Sequence, residues 1–350
     1  MAAALIARNP ARRYLCCMVE RVNVGLIGAG HFGRFHALKL AAAAADPAGR
    51  ARLAGIFDPD AERAKAVAWE AGAQILDLPG LLAAADAVII AAPAEFHFEL
   101  AAEALRGGKH VLVEKPIAAN LDQAAALATL ARSQNLVLQV GHLERFSAAH
   151  GAVTARMGKP LYIEAVRIAP FKPRGTDVSV ILDLMIHDLD LILALIDVPI
   201  AHVDAVGASV ASAHEDIANA RIRFVNGAVA TITASRISLK TERKMRIFSA
   251  SGYLTVDFAA RKLTLIGKNI GMKLPGFEEF GVEQAGWEDH DALAAEHAAF
   301  LSSILDGTPI AVDAEAGKRA LAAALAVSTA IAESRALAEA SGLVGHTPES

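Results

Sequence analysis

The sequence predicts an α/β protein of two domains, a doubly wound parallel sheet followed by an α+β domain on an open, mainly antiparallel sheet. Three observations carry that reading. The chain has 350 residues, long for one hydrophobic core and comfortable for two. From Val22 onward, short β-branched runs alternate with alanine-rich helical stretches, the pattern of repeating βαβ units. After about residue 143 the texture changes to one helical stretch followed by strand-like runs and turn signals.

Taken in order, residues 1–20 (MAAALIARNPARRYLCCMVE) have no continuous apolar core followed by a small-residue cleavage site, so they are expected to be a mobile, non-structural extension. VNVGLIG, ARLAGIFD, DAVIIAAP, HVLVEKP and LVLQVGH read as the strands of the first sheet. DAERAKAVAWEAG and FHFELAAEALRGG read as helices ended by glycine. A helix is expected around 178–196. Strands follow at AHVDAVGASV, IANARIRFV, AVATITASRI, RKMRIFSASG and YLTVDFA, then helices near 289–306 and 314–339. The expected division is an extension over 1–20, a nucleotide-binding domain over 21–143 and a substrate and assembly domain over 144–340.

A net charge of -4 supplies no basic footprint for a phosphate backbone, which argues against nucleic acid and anionic membrane surfaces as partners. Cys16 and Cys17 are adjacent and match neither a disulfide framework nor zinc-ligand spacing. A reducing cytoplasm is the expected compartment. The most apolar stretch, ILDLMIHDLDLIL, carries Asp183, His187, Asp188 and Asp190, too many ionisable groups for a membrane span.

Gly28, Gly30 and Gly33 stand in G-x-G-x-x-G spacing directly after a strand and at the opening of a helix. Such a loop turns tightly and lets a pyrophosphate approach the positive helix N-terminus, so it points to a dinucleotide. Three glycines also suit a plain tight turn. His31 and Phe32 within the loop, and Ala92 and Pro93 after the third strand, count among the expected cofactor contacts. Asp58 closes the second strand, where a carboxylate binds ribose hydroxyls and repels a 2′-phosphate, favouring NAD over NADP. Alternatively, Asp58 caps the helix that follows.

Glu114-Lys115-Pro116 at the end of a strand, the glycine loop upstream, and Asp183 and His187 downstream together resemble the glucose-fructose oxidoreductase, inositol dehydrogenase and rhizopine-catabolism family, from Val22 to about residue 330. The resemblance implies an N-terminal Rossmann domain, NAD, and a second domain whose open sheet joins subunits into a homodimer or homotetramer. Lys115 would then sit between nicotinamide and substrate, Glu114 near the nicotinamide ribose, and His97 close to the cofactor. A histidine at a helix start is, taken alone, equally a cap or a surface group.

On a helical wheel Asp183, His187 and Asp190 form one stripe of an otherwise apolar helix. By itself the stripe could face water. The resemblance places Asp183 and His187 toward the nicotinamide, with His187 as general base, Asp183 orienting it one turn away, and Lys115 steadying the alkoxide. Asp188 and Asp190 are expected to be structural, on the helix surface or behind the site.

The segments around HLERF, PFKPRG and ATITASRIS are similar to the branch of that family that oxidises the 3-hydroxyl of UDP-N-acetylglucosamine, ahead of a transamination toward the amino sugar of lipid A. Arg145, Arg174 and Arg236 would hold the diphosphate there, or serve ordinary ion pairs. Ser147 and Ala148 depart from the branch's usual asparagine and proline. His290 and His297, seven residues apart, fit no metal motif and read as helix-surface groups; no metal is expected. Two other functions stay open: a dehydrogenase of free cyclitols or sugars, and a non-catalytic dinucleotide sensor.

Overall fold

The structure, a computed structural model, describes residues 21–46, 48–172, 176, 178–288 and 290–343. The expected N-terminal extension and Arg174 lie outside the described residues. The first half alternates strand and helix: β1 (Val22–Ile27), α1 (His31–Ala45), β2 (Ala51–Phe57), α2 (Ala61–Ala71), α3 (Leu78–Ala84), β3 (Ala87–Ile90), α4 (His97–Arg106), β4 (His110–Glu114), α5 (Leu121–Ser133) and β5 (Leu138–Gly141). The second half comprises α6 (Ala148–Thr154), β6 (Pro160–Ile168), α7 (Ile186–Ile196), β7 (Ile200–Ala208), β8 (Ile217–Phe224), β9 (Val229–Ser235), β10 (Glu242–Ser249), β11 (Gly252–Asp257), β12 (Lys262–Lys268), β13 (Met272–Leu274), β14 (Phe277–Gly286), α8 (Ala292–Leu305) and α9 (Ala314–Ala340).

The first sheet is parallel, in the order β2-β1-β3-β4-β5. Its strands are buried on both faces, which explains their near-continuous Val, Ile and Leu runs. Ala37, Leu40, Val67 and Phe300 cover one face from α1, α2 and α8. Leu81, Leu105, Leu127 and Leu321 cover the other from α3, α4, α5 and α9. Each fully buried aliphatic side chain contributes about 1.5–3 kcal/mol. An isolated parallel bridge, Ile56 to Ile75, lies beyond β2. It is all that forms of a sixth strand, and no apolar run marks it in the sequence. The order reverses between β1 and β3, so the loops after those strands frame a crevice.

The second sheet runs β13-β14-β12-β11-β10-β6-β9-β8-β7, antiparallel throughout except for the β6–β9 pair. The five strands read from the sequence are present; β6 and the hairpins over 262–286 were missed. Alternation in β8 buries Ala218, Ala220, Ile222 and Phe224 against helices and leaves Ile217, Asn219, Arg221 and Arg223 exposed.

Helix α9 serves both sheets. Its first turns pack Leu321 with the first core, and Gly317 sits where a Cβ would meet Val140 Cγ2 at 2.7 Å. Farther on, Ala324, Val327 and Ile331 join the second core. By length and composition this helix could cross a membrane; as far as Ile331 it packs one side against the two cores, and beyond them Leu337 is 72% exposed. The chain leaves the first sheet after β5 and enters the second at β6, while the first sheet's core is completed from the far end of the chain.

Candidate active site

The glycine loop builds the first part of the site. Gly28 has φ +96°, and a Cβ there would meet the Ala91 carbonyl oxygen at 2.6 Å, so the turn needs glycine. At Gly33 a Cβ would run into the Gly28 carbonyl, which lets α1 start close beneath the loop. At Gly30 a Cβ would meet nothing within 4 Å; its open side faces a crevice of about 560 Å3 that Gly28, Gly30, Asp58, Ala92 and Pro93 line together. No side chain caps α1, so the N–H groups of its first turn stay available to an anion.

Asp58 is nearly closed off, its side chain 5% exposed. One carboxylate oxygen accepts from Ala29 N at 2.7 Å and the other from Asp60 N at 2.8 Å. The cap of α2 is Asp60, which accepts from the N–H groups of Glu62 and Arg63, so Asp58 is not the helix cap. Arg63, which gave no signal in the sequence, lines the same crevice, with its guanidinium 3.4 Å from Asp58 and 3.2 Å from Asp60.

The second part is a cleft of about 540 Å3 between the sheets. His31 and Phe32 border it from the glycine loop, Glu114 and Lys115 from the end of β4, and Asp183 and His187 from the helix before β7. That helix opens with a π-helical turn, Ile181–Met185, and continues as α7. The wider turn changes the phase on which the one-turn spacing of Asp183 and His187 relied. Asp183 faces Lys115 instead, with Nζ 3.9 Å from its carboxylate. Lys115 Nζ donates to the carbonyls of Asp183 at 2.9 Å and Leu182 at 3.4 Å. The expected Asp183–His187 hydrogen bond is not formed among the described residues, and His187 Nδ1 is buried without a partner.

Burial and then the nearby Lys115, Arg167, His142 and Arg243 hold the His187 imidazole well below its ordinary pKa. Burial also lowers Lys115, against the pull of Asp183 and Glu114. His97 is buried rather than capping or exposed, and its ring nitrogens lie 2.8 Å from the Ala92 carbonyl and 2.7 Å from that of Pro116. It ties the loop after β3 to the loop after β4 and lines neither cavity.

Three arginines were expected to meet a diphosphate, and two of them are engaged within the protein. Arg145 makes a two-pronged pair with Asp190, at 2.7 and 3.1 Å. Arg236 is held by Asp216 at 2.9 Å and donates to the carbonyls of Val178 and Glu215, although it borders the cleft. Asp188 and Asp190 are not on the helix surface: each is buried, Asp188 against Arg167 at 2.8 and 2.9 Å. Among the described residues, the cation facing solvent at the cleft is Lys172, which nothing local in the sequence distinguishes from other surface lysines. His297 also departs from expectation, lying buried against His36 rather than on a helix surface. His36, Glu114 and Glu296 bring ligand-type atoms within 4.8 Å of one another, a juxtaposition the sequence did not signal.

Residues 22–142 match the oxidoreductase family with an NAD-binding Rossmann fold, and residues 153–255 match the GFO/IDH/MocA C-terminal domain. The chain belongs to the GFO/IDH/MocA oxidoreductase family. Within that family it is 42% identical over 311 residues to the UDP-N-acetylglucosamine 3-dehydrogenase of Acidithiobacillus ferrooxidans, covering 87% of this chain and 96% of that protein. A solved structure of the same enzyme superposes with a TM-score of 0.83 and 42% identity, over 89% of this chain and 97% of that one. The scyllo-inositol dehydrogenase of Lactobacillus casei, solved with NAD(H) and scyllo-inositol, shares the fold at 22% identity and a TM-score of 0.74, over 90% of this chain and 98% of that one.

As a GFO/IDH/MocA member the chain is an NAD-dependent oxidoreductase, and its own residues fit that cofactor. The open side of Gly30 and the uncapped start of α1 suit a pyrophosphate. The inward-held Asp58 carboxylate suits a ribose and opposes a further phosphate.

Proposed function

We propose that this enzyme oxidises the 3-hydroxyl of UDP-N-acetylglucosamine to a ketone. The observation that carries the reading is the similarity to the Acidithiobacillus enzyme along 96% of its length, together with a cleft that gathers Lys115, Asp183 and His187 beside the glycine loop. A non-catalytic sensor has no need of that gathering. NAD, which the glycine loop and Asp58 would hold, would supply the hydride acceptor when bound.

In this reading His187, kept neutral by its surroundings, accepts the hydroxyl proton. An imidazole with a lowered pKa is a weak base. The Lys115 ammonium compensates by stabilising the alkoxide as it develops, lowering the hydroxyl's own pKa. Asp183 supports the charge on Lys115 from 3.9 Å, and so acts on the lysine rather than on the histidine. Glu114 and Gly30 lie on the cofactor side. With Arg145 and Arg236 paired internally, Lys172 at the rim and Arg174 are the cations assigned to the diphosphate. The ketone would then pass to an aminotransferase supplying the 3-amino sugar of lipid A, in the cytoplasm, and subunits would assemble through the exposed face of the second sheet.

The test follows reduced nicotinamide during incubation with NAD and UDP-N-acetylglucosamine, UDP-N-acetylgalactosamine, myo-inositol or scyllo-inositol. Selective oxidation of UDP-N-acetylglucosamine is expected. His187→Ala should lower its turnover by roughly two to four orders of magnitude while NAD affinity stays near wild type. Preferred oxidation of a cyclitol, or undiminished turnover in a folded His187→Ala protein, would overturn the reading.

A further inference from the structure

Behind the cleft lies a group of ionisable side chains that hydride transfer does not use. His36, on α1, is fully buried. Its Nε2 is 3.0 Å from Glu114 Oε1, and its Nδ1 is 2.8 Å from His297 Nε2. The two imidazole planes lie within 19° of each other, with centroids 5.1 Å apart, so the rings meet edge to edge. Beside them Glu296, also fully buried, has no hydrogen bond to either carboxyl oxygen among the described residues.

The ends of this chain reach different surfaces. Glu114 lines the cleft with Lys115 and His187. His297 lines a separate depression of about 280 Å3, bordered by Lys39, Arg50 and Ser302, on the outer side of α1 and α8.

We propose that Glu114, His36 and His297 form a proton path that connects the catalytic cleft with the outer depression. The inference rests on the reading that an alcohol is oxidised in the cleft. That oxidation gives a hydride to NAD and releases one proton, and no other reagent is involved. The proton that His187 takes from the alcohol is handed through solvent in the cleft to Glu114 Oε1, and passes from there to His36 Nε2 as the His36 Nδ1 proton passes to His297 Nε2. The proton on the remaining His297 nitrogen then leaves to water. One proton enters and one leaves, and each ring goes from one neutral tautomer to the other without separating charge. The hops run in the opposite sense when the ketone is reduced.

The surroundings suit transfer rather than storage. Burial, His36 and Lys39 push the His297 imidazole down to about 3, against the opposing pull of Asp291, so the ring passes a proton instead of keeping it. Burial and the neighbouring Glu114 hold the Glu296 carboxyl well above the usual range. The same atoms lie close enough for a metal ion, but the Glu114–His36 hydrogen bond already occupies the His36 nitrogen a metal would need.

The experiment uses the full chain with His297→Ala and His297→Gln, the second covering a folding failure of the first. Melting temperature and NAD affinity are compared with wild type. With an alcohol that the wild type oxidises, kcat in dilute buffer is expected to fall about 10-fold. It should recover as imidazole or a methylimidazole is added, to an extent that follows the added base's pKa, while wild type is indifferent. The solvent deuterium effect on kcat should grow in the variant. An unchanged kcat in a folded variant, or a loss that no proton-carrying buffer restores, overturns the path. Wild-type turnover of UDP-N-acetylglucosamine in the same assay tests the substrate reading separately, whereas the variant-to-wild-type ratio tests the path.

Discussion

Asp58 reaches the cofactor crevice already bonded to two backbone N–H groups and flanked by Arg63. Removing the carboxylate does two things: it loosens the glycine loop, and it frees a guanidinium for a 2′-phosphate. Asp58→Ala should therefore weaken NAD binding and strengthen NADP binding, with the two dissociation constants converging; titration of each cofactor checks this, and a preference for NAD as strong as wild type would contradict the role. At His187 the sign of the pH effect follows from its lowered pKa. The proton-accepting, neutral form persists below the ordinary imidazole range near 6.5, so kcat should hold its plateau as pH falls through that value. A half-maximal rate near pH 6.5, absent in His187→Gln, would show an unperturbed imidazole. The types of these residues were legible in the sequence, and their partners were not. Spacing placed Asp183 one turn from His187, but a local change to a π-turn sent that carboxylate to Lys115.

The stretch from 181 to 196 carries three aspartates on an apolar helix because neighbouring elements bring arginines to two of them. β6 supplies Arg167 to Asp188, and the turn at Leu143–Phe146 supplies Arg145 to Asp190. Glu144 adds a second carboxylate to Arg167 at 3.2 Å and also pairs with Arg243. Taking one member away leaves a charge stranded without water. Asp188→Asn should cost about 3–5 kcal/mol, read from denaturant unfolding, while Asp188→Leu combined with Arg167→Met should cost less than the single change because no charge is left alone. Helices and central strands were legible through periodicity and glycine ends, as at Gly72, which closes α2 with φ +62°. What escaped were strands that no clear alternation marks, whether their partners lie far along the chain or next to them. β6 gains its place from β9 and β10, and the hairpins over 262–286 from one another, so no local pattern announces them.

Across the whole molecule, burial lowers the pKa of His97, His110, His142, His150, His187 and His297. In the unfolded chain each takes up a proton near pH 6.5, whereas the folded protein resists until lower pH. The unfolded state thus binds more protons in that window. Stability should be full above about pH 6.5 and should fall as pH drops below it, with Glu296, whose pKa is raised, pulling the other way. Melting temperatures from pH 8 to pH 5 check the sign; a flat or rising curve toward acid would refute it. The two-sheet architecture was legible from texture alone, but not the return of the chain. Phe300, Leu301, Val312 and Leu321 complete the core around strands that were laid down well over a hundred residues earlier. During synthesis the ribosome therefore releases the nucleotide-binding sheet long before its last packing partners exist. Until α8 and α9 emerge, that sheet waits with parts of both faces bare, and a chaperone has its best claim on the nascent chain in that interval.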